Sequence, residues 1–447
     1  MEYESDFSFT IKRLRLNQYR QFERLEVDFH PQVTVLTAPN GGGKSAIVQA
    51  MAVACAHFIY SLDVNPGRKN GFEKSDYRLV PMQNGCMIPV SEPLSLECEG
   101  VVGGEPMTWT RERRKANESR TSCAGAQCLR TKAEELRKAS MGSSADGVVT
   151  YAPMIAFYDA RRGARWSKLP ESRTQNNANR FNGYRDCLAL GSNIKVFRRW
   201  FKNLWFSVIQ ERMNFRAGAA NGEVRLRIVQ EAITKALKIV GWSQPYWDFE
   251  FDEIVLSNNE GKVLPYNMLS DGIQNVFTLV ADLVHRAVVL NPLCADDLLQ
   301  QVQGLVLIDE IDMYLHPTWQ QIIVPTLLEI FPRVQFVLTT HSPQVLSTLK
   351  REQIRIIEQV ADGEFEVRLP DFSPYAQEAV AALTGILYTS STPTVPESED
   401  LSRLGELYRR GETKEAEQLE RKLVQQGIDV SQEDVNFWKF IASHKLR

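Results

Sequence analysis

No run of apolar residues in this 447-residue sequence approaches the roughly 18 that a membrane-crossing helix needs. The opening residues, MEYESDFSFT, show neither a basic region followed by an apolar stretch nor the composition of a transit peptide. Both absences predict a cytoplasmic protein with no membrane association. Cysteine is scarce and unpatterned, with seven residues at Cys55, Cys86, Cys98, Cys123, Cys128, Cys187 and Cys294. An odd, scattered set in a long chain argues for a reducing compartment, and the Cys123/Cys128 pair lacks the nearby His or second pair of a zinc site. A net charge of −3 gives no overall nucleic-acid signature. Tandem repeats and long heptad arrays are also missing.

What is present is the composition of an ordinary globular protein, 43% hydrophobic and 24% charged, with length for two or three domains or one domain with insertions. FTIKRLRLNQ and RQFERLEVDF alternate polar and apolar residues around Tyr19-Arg20, which predicts a half-exposed hairpin. QVTVLTA is a short strand that leads through a Gly-rich turn into an apolar helix from Ser45. LSLECEGVV and PMTWTRERR predict another hairpin turning at Gly103-Gly104. Residues 114–148 are polar and predict an exposed, partly disordered insertion around a short helix, TKAEELRKAS. APMIAFYDA resumes as a buried strand, followed by a polar loop and two helices, NIKVFRRWFKNLWFSVIQERM and VRLRIVQEAITKALKIVG. GLVLID and QFVLTT are apolar at every position, as parallel strands buried on both faces require. Beyond about residue 390, three amphipathic helices separated by turns are expected.

The chemistry-bearing residues fall at the ends of these strands. Ala38-Pro39-Asn40-Gly41-Gly42-Gly43-Lys44-Ser45 is a phosphate-binding loop with Ala in place of the usual first Gly. Glycines let the backbone N–H groups close around phosphates, and the following helix adds its positive dipole end. Lys44 is expected to neutralise the β- and γ-phosphates and Ser45 to ligate Mg2+. Asp309 and Glu310 emerge at the C-terminal end of GLVLI, where parallel sheets bind ligands. Asp309 is expected to hold Mg2+ and Glu310 to polarise the attacking water. His341, in TTHS, stands 31 residues after Glu310 and is a candidate γ-phosphate contact. Ser270, Asp271 and Gly272, in LSDGIQ, precede an apolar helix. Taken alone they read as a helix cap.

APNGGGKS, LSDGIQ, VLIDEID and TTHS occur in the order of an ABC-type ATPase, and the chain resembles the SMC/RecF branch of that family. The resemblance implies an α/β P-loop NTPase of ABC-ATPase type, with a mixed central sheet, an antiparallel β subdomain, a helical insertion and a C-terminal helical extension. It divides the chain into a first part of the ATPase core (1–112), a polar insertion (113–149), a helical and basic lobe (150–262), a second part of the core (263–389) and the extension (390–447). It also implies ATP and Mg2+, and a head-to-tail dimer in which Ser270, Asp271 and Gly272 cap the ATP held by a second copy. The glutamine of the Q-loop is not obvious, and the segment around Asp159 and Arg161 occupies about its place. IDEIDMYLHPTWQ, FYDARRGARW and NRFNGYRDCL are similar to bacterial ATPases without a coiled coil, including the ATPase subunit of Septu-type anti-phage systems, also found with retrons.

Three functions fit these residues: an ATPase controlling a separate effector in phage defence, a DNA-repair ATPase, and the ATP-binding subunit of a transporter. LSDGIQ in place of LSGGQ weakens the last. From Arg161 to Arg216 there are 13 Lys/Arg against 3 Asp/Glu, interleaved with Trp166, Trp200, Phe201, Trp205 and Phe206. That region could bind nucleic acid, a partner protein, or neither if its aromatics are core. After His341 the chain lacks the Glu and Asp-x-Asp pattern of a Toprim nuclease, and its one further histidine, His444, makes no HNH-like set. Any nuclease is therefore expected in a partner chain, with an HNH type favoured.

Overall fold

The computed structural model describes residues 7–387, except 40, 69, 83–85, 116–117, 119, 147–149, 161–178, 190–193, 214–219, 294–295 and 362, together with 396–410, 412–426, 428 and 430. Contacts group the chain into two compact units, Met1–Leu387 and Tyr388–Arg447.

The first unit is built on a ten-stranded mixed sheet. Its parallel part contains β3 (Val33–Thr37), β8 (Met154–Tyr158), β12 (Gly304–Ile308), β13 (Val334–Thr339) and β14 (Ile354–Ala361), in the order β14-β3-β13-β12-β8. β12 and β13 alternate their side chains between two cores. Leu305 and Leu307 join one cluster, and Val306 and Ile308 the other. Every residue of both strands is buried, so neither shows the polar alternation of a half-exposed strand.

β1 (Phe9–Tyr19), β2 (Phe22–Asp28), β6 (Leu94–Val102) and β7 (Glu105–Arg113) form an antiparallel wing, ordered β7-β6-β1-β2, and β15 (Glu364–Arg368) joins it to β14. Along β1 and β6 buried residues alternate with half-exposed ones, as the sequence pattern predicts. β4 (Leu79–Pro81) and β5 (Met87–Pro89) form a small separate ladder. β9 (Trp242–Asp248), β10 (Glu253–Asn258) and β11 (Val263–Pro265) form a three-stranded sheet.

Helix α1 (Lys44–Tyr60) is Ala-rich and buried continuously from Ala46 to Ile59 except at Gln49. It packs among the wing, β13 and α2 (Gln127–Asp146). The stretch 114–148, expected to be exposed, therefore contributes to the core. Leu129, Ala133 and Leu136 recur at helical spacing and are fully buried. Its polar composition reflects the opposite face of that helix. On the other side of the sheet lie α3 (Ile194–Met213), α4 (Ala220–Leu237), α5 (Asp271–Leu290) and α6 (Ile323–Ile330). Among the described residues only α5 is long and apolar enough to cross a membrane by length and composition, and 78% of its apolar window is buried in the protein. It is the central helix of a core.

α3 settles part of the basic, aromatic segment. Phe201 and Leu204 are buried and Trp200 and Trp205 pack against the same core, while Phe206 is exposed. Trp166 lies outside the described residues. The second unit, taken by itself, contains α7 (Pro396–Arg410) and α8 (Thr413–Gln425), which bury Leu404, Leu407, Tyr408, Ala416 and Leu423 between them. The last amphipathic helix expected from the sequence lies outside the described residues.

Candidate functional site

The loop after β3 owes its path to glycine. Gly41 and Gly43 have φ of +80° and +87°, the left-handed region that other residues rarely adopt. A Cβ on Gly43 would lie 2.2 Å from Phe22 Cζ, so side-chain space is closed there as well. The Gly42 N–H donates to the Pro39 carbonyl at 3.0 Å, and Gly43 is the N-cap residue of α1. Asn40, expected within this loop, lies outside the described residues.

Lys44 is 6% exposed, and its ammonium donates to the Ala38 carbonyl at 3.0 Å and the Pro39 carbonyl at 3.5 Å. Burial pulls its pKa down to about 8, against the upward pull of Asp309, Glu310 and Asp312. A buried ammonium resting on loop carbonyls is under-compensated, and an anion in the loop would correct this.

Asp309 follows β12 and is 2% exposed. Its Oδ1 accepts from Ser45 Oγ at 3.0 Å and Thr339 Oγ1 at 2.6 Å, and its N–H donates to the Tyr158 carbonyl at 2.8 Å. The carboxylate is thus held by α1 and β13, and the backbone beside it by β8. The Glu310 N–H donates to Thr339 Oγ1 at 2.8 Å, and φ of +52° at Glu310 turns the chain sharply out of the strand. His341 is half-buried beyond β13. Burial, and secondarily the charge of Lys44, lowers its pKa, while Asp312 and Asp309 oppose this. Its imidazole is therefore neutral at neutral pH and able to donate or accept one hydrogen bond.

These donors suit a phosphate and Mg2+. Ser45 and Asp309 present hard oxygens within hydrogen-bond distance of each other, and Mg2+ is usually held by one or two protein ligands plus phosphates and waters. Among the described residues there is no cluster of three or more His, Cys, Asp or Glu that would make an all-protein metal cage.

Lys44, Ser45, Asp309, Glu310 and His341 are thus brought together. Ser270, Asp271 and Gly272 are placed elsewhere. Ser270 occupies the N-cap position of α5 without making a side-chain capping bond, and Ser270 and Asp271 are exposed. Gly272 is packed tightly: a Cβ there would lie 2.6 Å from Trp319 Cζ3 and 2.9 Å from the Tyr314 carbonyl. The simple cap reading therefore lacks its hydrogen bond.

Several residues escaped the motif reading. Asp312 accepts from Thr340 Oγ1 at 2.6 Å and acts electrostatically on both Lys44 and His341. Thr339 Oγ1 donates to the Asp309 carboxylate and accepts from the Glu310 backbone N–H, so it fixes this strand end. Their signal was adjacency, since both lie within or beside IDEID and TTHS. Asp159, the loosely placed Q-loop candidate, is buried just beyond β8, and Arg161 lies outside the described residues.

Comparison with known proteins adds the family. The family described as "AAA domain" matches residues 13–238, and "AAA domain, putative AbiEii toxin, Type IV TA system" matches residues 134–347. The chain is similar to the Retron Vc95 probable ATPase of Vibrio cholerae serotype O1 biovar El Tor, at 24% identity over 92% of this chain and 87% of that protein. It is similar over a shorter stretch to the Septu protein PtuA of Bacillus mycoides (strain KBAB4), at 39% identity over 20% of this chain and 12% of that protein. Among solved structures, an SMC head bound to the C-winged helix domain of ScpA matches 81% of this chain and 98% of its own, at 14% identity and a TM-score of 0.48.

Proposed function

This chain belongs to the AAA domain family, and on that premise we propose that it binds ATP with Mg2+, hydrolyses it, and pairs head to tail with a second copy to control a separate effector in anti-phage defence. The observation that carries the reading is the 3.0 Å bond between Ser45 and Asp309, which joins the phosphate-binding loop to the strand end that supplies the carboxylates.

Each residue then has a role that follows from its place. The loop amides and Lys44 bind the phosphates, and Ser45 and Asp309 hold the cation. Mg2+, when bound, neutralises phosphate charge. Glu310, adjacent to Asp309 at a left-handed turn, orients water and accepts its proton. His341, neutral and beside Lys44, contacts the terminal phosphate. Ser270, Asp271 and Gly272 stand at an exposed helix N-terminus whose free N–H groups suit an anion, and in the proposed dimer they close over the nucleotide of the second copy. The names of the retron and Septu relatives support the defence setting. In this reading the effector is a partner chain.

Light scattering of the purified chain, with and without ATP and Mg2+, combined with phosphate release, tests this reading. A nucleotide-dependent shift from monomer to dimer with phosphate release is expected. A chain that releases phosphate equally well as a monomer would sink the composite-site proposal, and one that binds no ATP would sink the whole.

A further inference from the structure

The loop that leaves Asp309 is tied down at nearly every residue, and two neighbouring side chains hold both its ends. Glu310 and Tyr314 bracket it with φ of +52° and +63°, unusual for residues with side chains. Between them, Asp312 Oδ1 accepts from Thr340 Oγ1 at 2.6 Å and the Met313 carbonyl accepts from Asn275 Nδ2 at 2.7 Å. Gln320 closes the arrangement. Its Oε1 accepts from Ser342 Oγ at 2.6 Å, one residue past His341, and its Nε2 donates to the Leu315 carbonyl at 2.9 Å and the Asp312 carbonyl at 3.4 Å. Ser342 Oγ in turn accepts from the Gln344 and Val345 N–H groups, so the His341 turn is braced from both sides. Next to Gln320, the Trp319 ring lies against Gly272 so closely that no Cβ fits.

We propose that Trp319 and Gln320 are positioning residues that form a strut between the His341 turn and the Ser270–Gly272 edge, so that phosphate occupancy in a protomer's own loop sets the placement of the edge it offers to a second copy. The inference rests on the composite-site reading and adds to it a route by which one site reports to the other. Neither residue touches the phosphate-binding group. Gln320 spans two hydrogen-bonded loops through a single planar amide, which transmits a shift of Ser342 to Leu315 and Asp312. Trp319, rigidly adjacent in sequence, carries that shift to Gly272, where contact is too tight to absorb it.

Hydrogen exchange of the 270–276 amides, measured with and without ATP and Mg2+ at protein concentrations below dimerisation, reads the coupling directly. In the wild type ATP should change the exchange of this segment, and Gln320→Glu should lose that change. The glutamate keeps the acceptor for Ser342 and removes the donor to Leu315 and Asp312, so the strut is cut with little change of shape. Affinity for a fluorescent ATP analogue should stay within about twofold, and ATP-driven dimerisation should weaken at least tenfold. Trp319→Phe, which keeps a ring near Gly272, should retain more of the response than Trp319→Ala. An ATP-induced change that persists undiminished in Gln320→Glu overturns the strut, as does a wild type that binds ATP without any change in 270–276. A wild type that shows the change yet never dimerises overturns the composite site and leaves the strut standing.

Discussion

Glu310 and His285 show how much a single side chain's surroundings decide. Glu310 has an aspartate beside it and a backbone in the left-handed region, with φ of +52°. Glu310→Gln should slow phosphate release by roughly 10²–10⁴, the usual contribution of a general base, and leave ATP affinity intact. Normal turnover in single-turnover assays of that variant would remove Glu310 from the mechanism. His285, on α5, faces the Trp200 ring at 4.7 Å and the edge of Phe197. Burial lowers its pKa to about 4, with Asp282 and Arg286 pulling in opposite senses. The folded-state pKa lies below the unfolded value of about 6.5, so the unfolded chain binds more protons between those two values. Stability is full above pH 6.5 and is lost as pH falls towards 4. By pH 5 the cost should be about 1–2 kcal/mol, the lower end because the ring keeps an edge towards solvent. His285→Gln should flatten the pH dependence of the melting temperature between pH 7 and 5, whatever its effect at pH 7.

At the scale of elements, α5 is held to the sheet by a buried polar group that motif reading does not reveal. Tyr158 Oη donates to Asp282 Oδ2 at 2.7 Å, and Arg286 Nε donates to the same oxygen at 2.8 Å. Arg286 also donates to the carbonyls of Gly183 and Arg185 at 2.8 and 3.0 Å. The last residue of β8 and the middle of α5 thus meet at one carboxylate, and Arg286 ties the segment after the polar loop to them. Tyr158 is also the residue whose carbonyl receives the Asp309 N–H, so this network supports the candidate site from behind. Asp282→Ala should destabilise the first unit by about 3–5 kcal/mol, because it strands the buried guanidinium. Adding Arg286→Met should recover part of that loss in denaturation followed by tryptophan fluorescence. A single variant as stable as the double would mean that water solvates Arg286.

At the scale of the whole molecule, a site is assembled whose parts do not all face one another. The loop, the carboxylates and His341 form one group, while Ser270 and Asp271 stand exposed at the start of α5. Ser270→Arg places a long cation on that edge and leaves the phosphate-binding loop untouched. The variant should bind ATP with wild-type affinity, remain a monomer in light scattering with ATP, and fail to release phosphate. Full activity in this variant would return LSDGIQ to being the start of a helix and nothing more. Nucleic acid has a smaller platform on α3 than composition suggests, because Phe201 is buried and Trp200 and Trp205 pack on the core.

Local chemistry made much of this legible in advance. A Gly-rich loop needs left-handed backbone, strands buried on both faces need continuous apolar residues, and the phosphate loop and carboxylates are contiguous words in the sequence. The hairpins of the wing and the parallel strands that present Lys44, Asp309 and His341 follow from such patterns. Contacts between distant segments leave no such trace. The burial of one face of α2 behind a polar composition, the approach of Asp312 to Lys44 and His341, and the meeting of Tyr158, Asp282 and Arg286 depend on how the elements pack. The sequence alone determined which residues are candidates to hold phosphate, cation and water, because those capacities belong to side chains and short backbone turns. Only the tertiary structure decided which of them share one site and which stand apart from it, because that depends on the packing of helices against a common sheet.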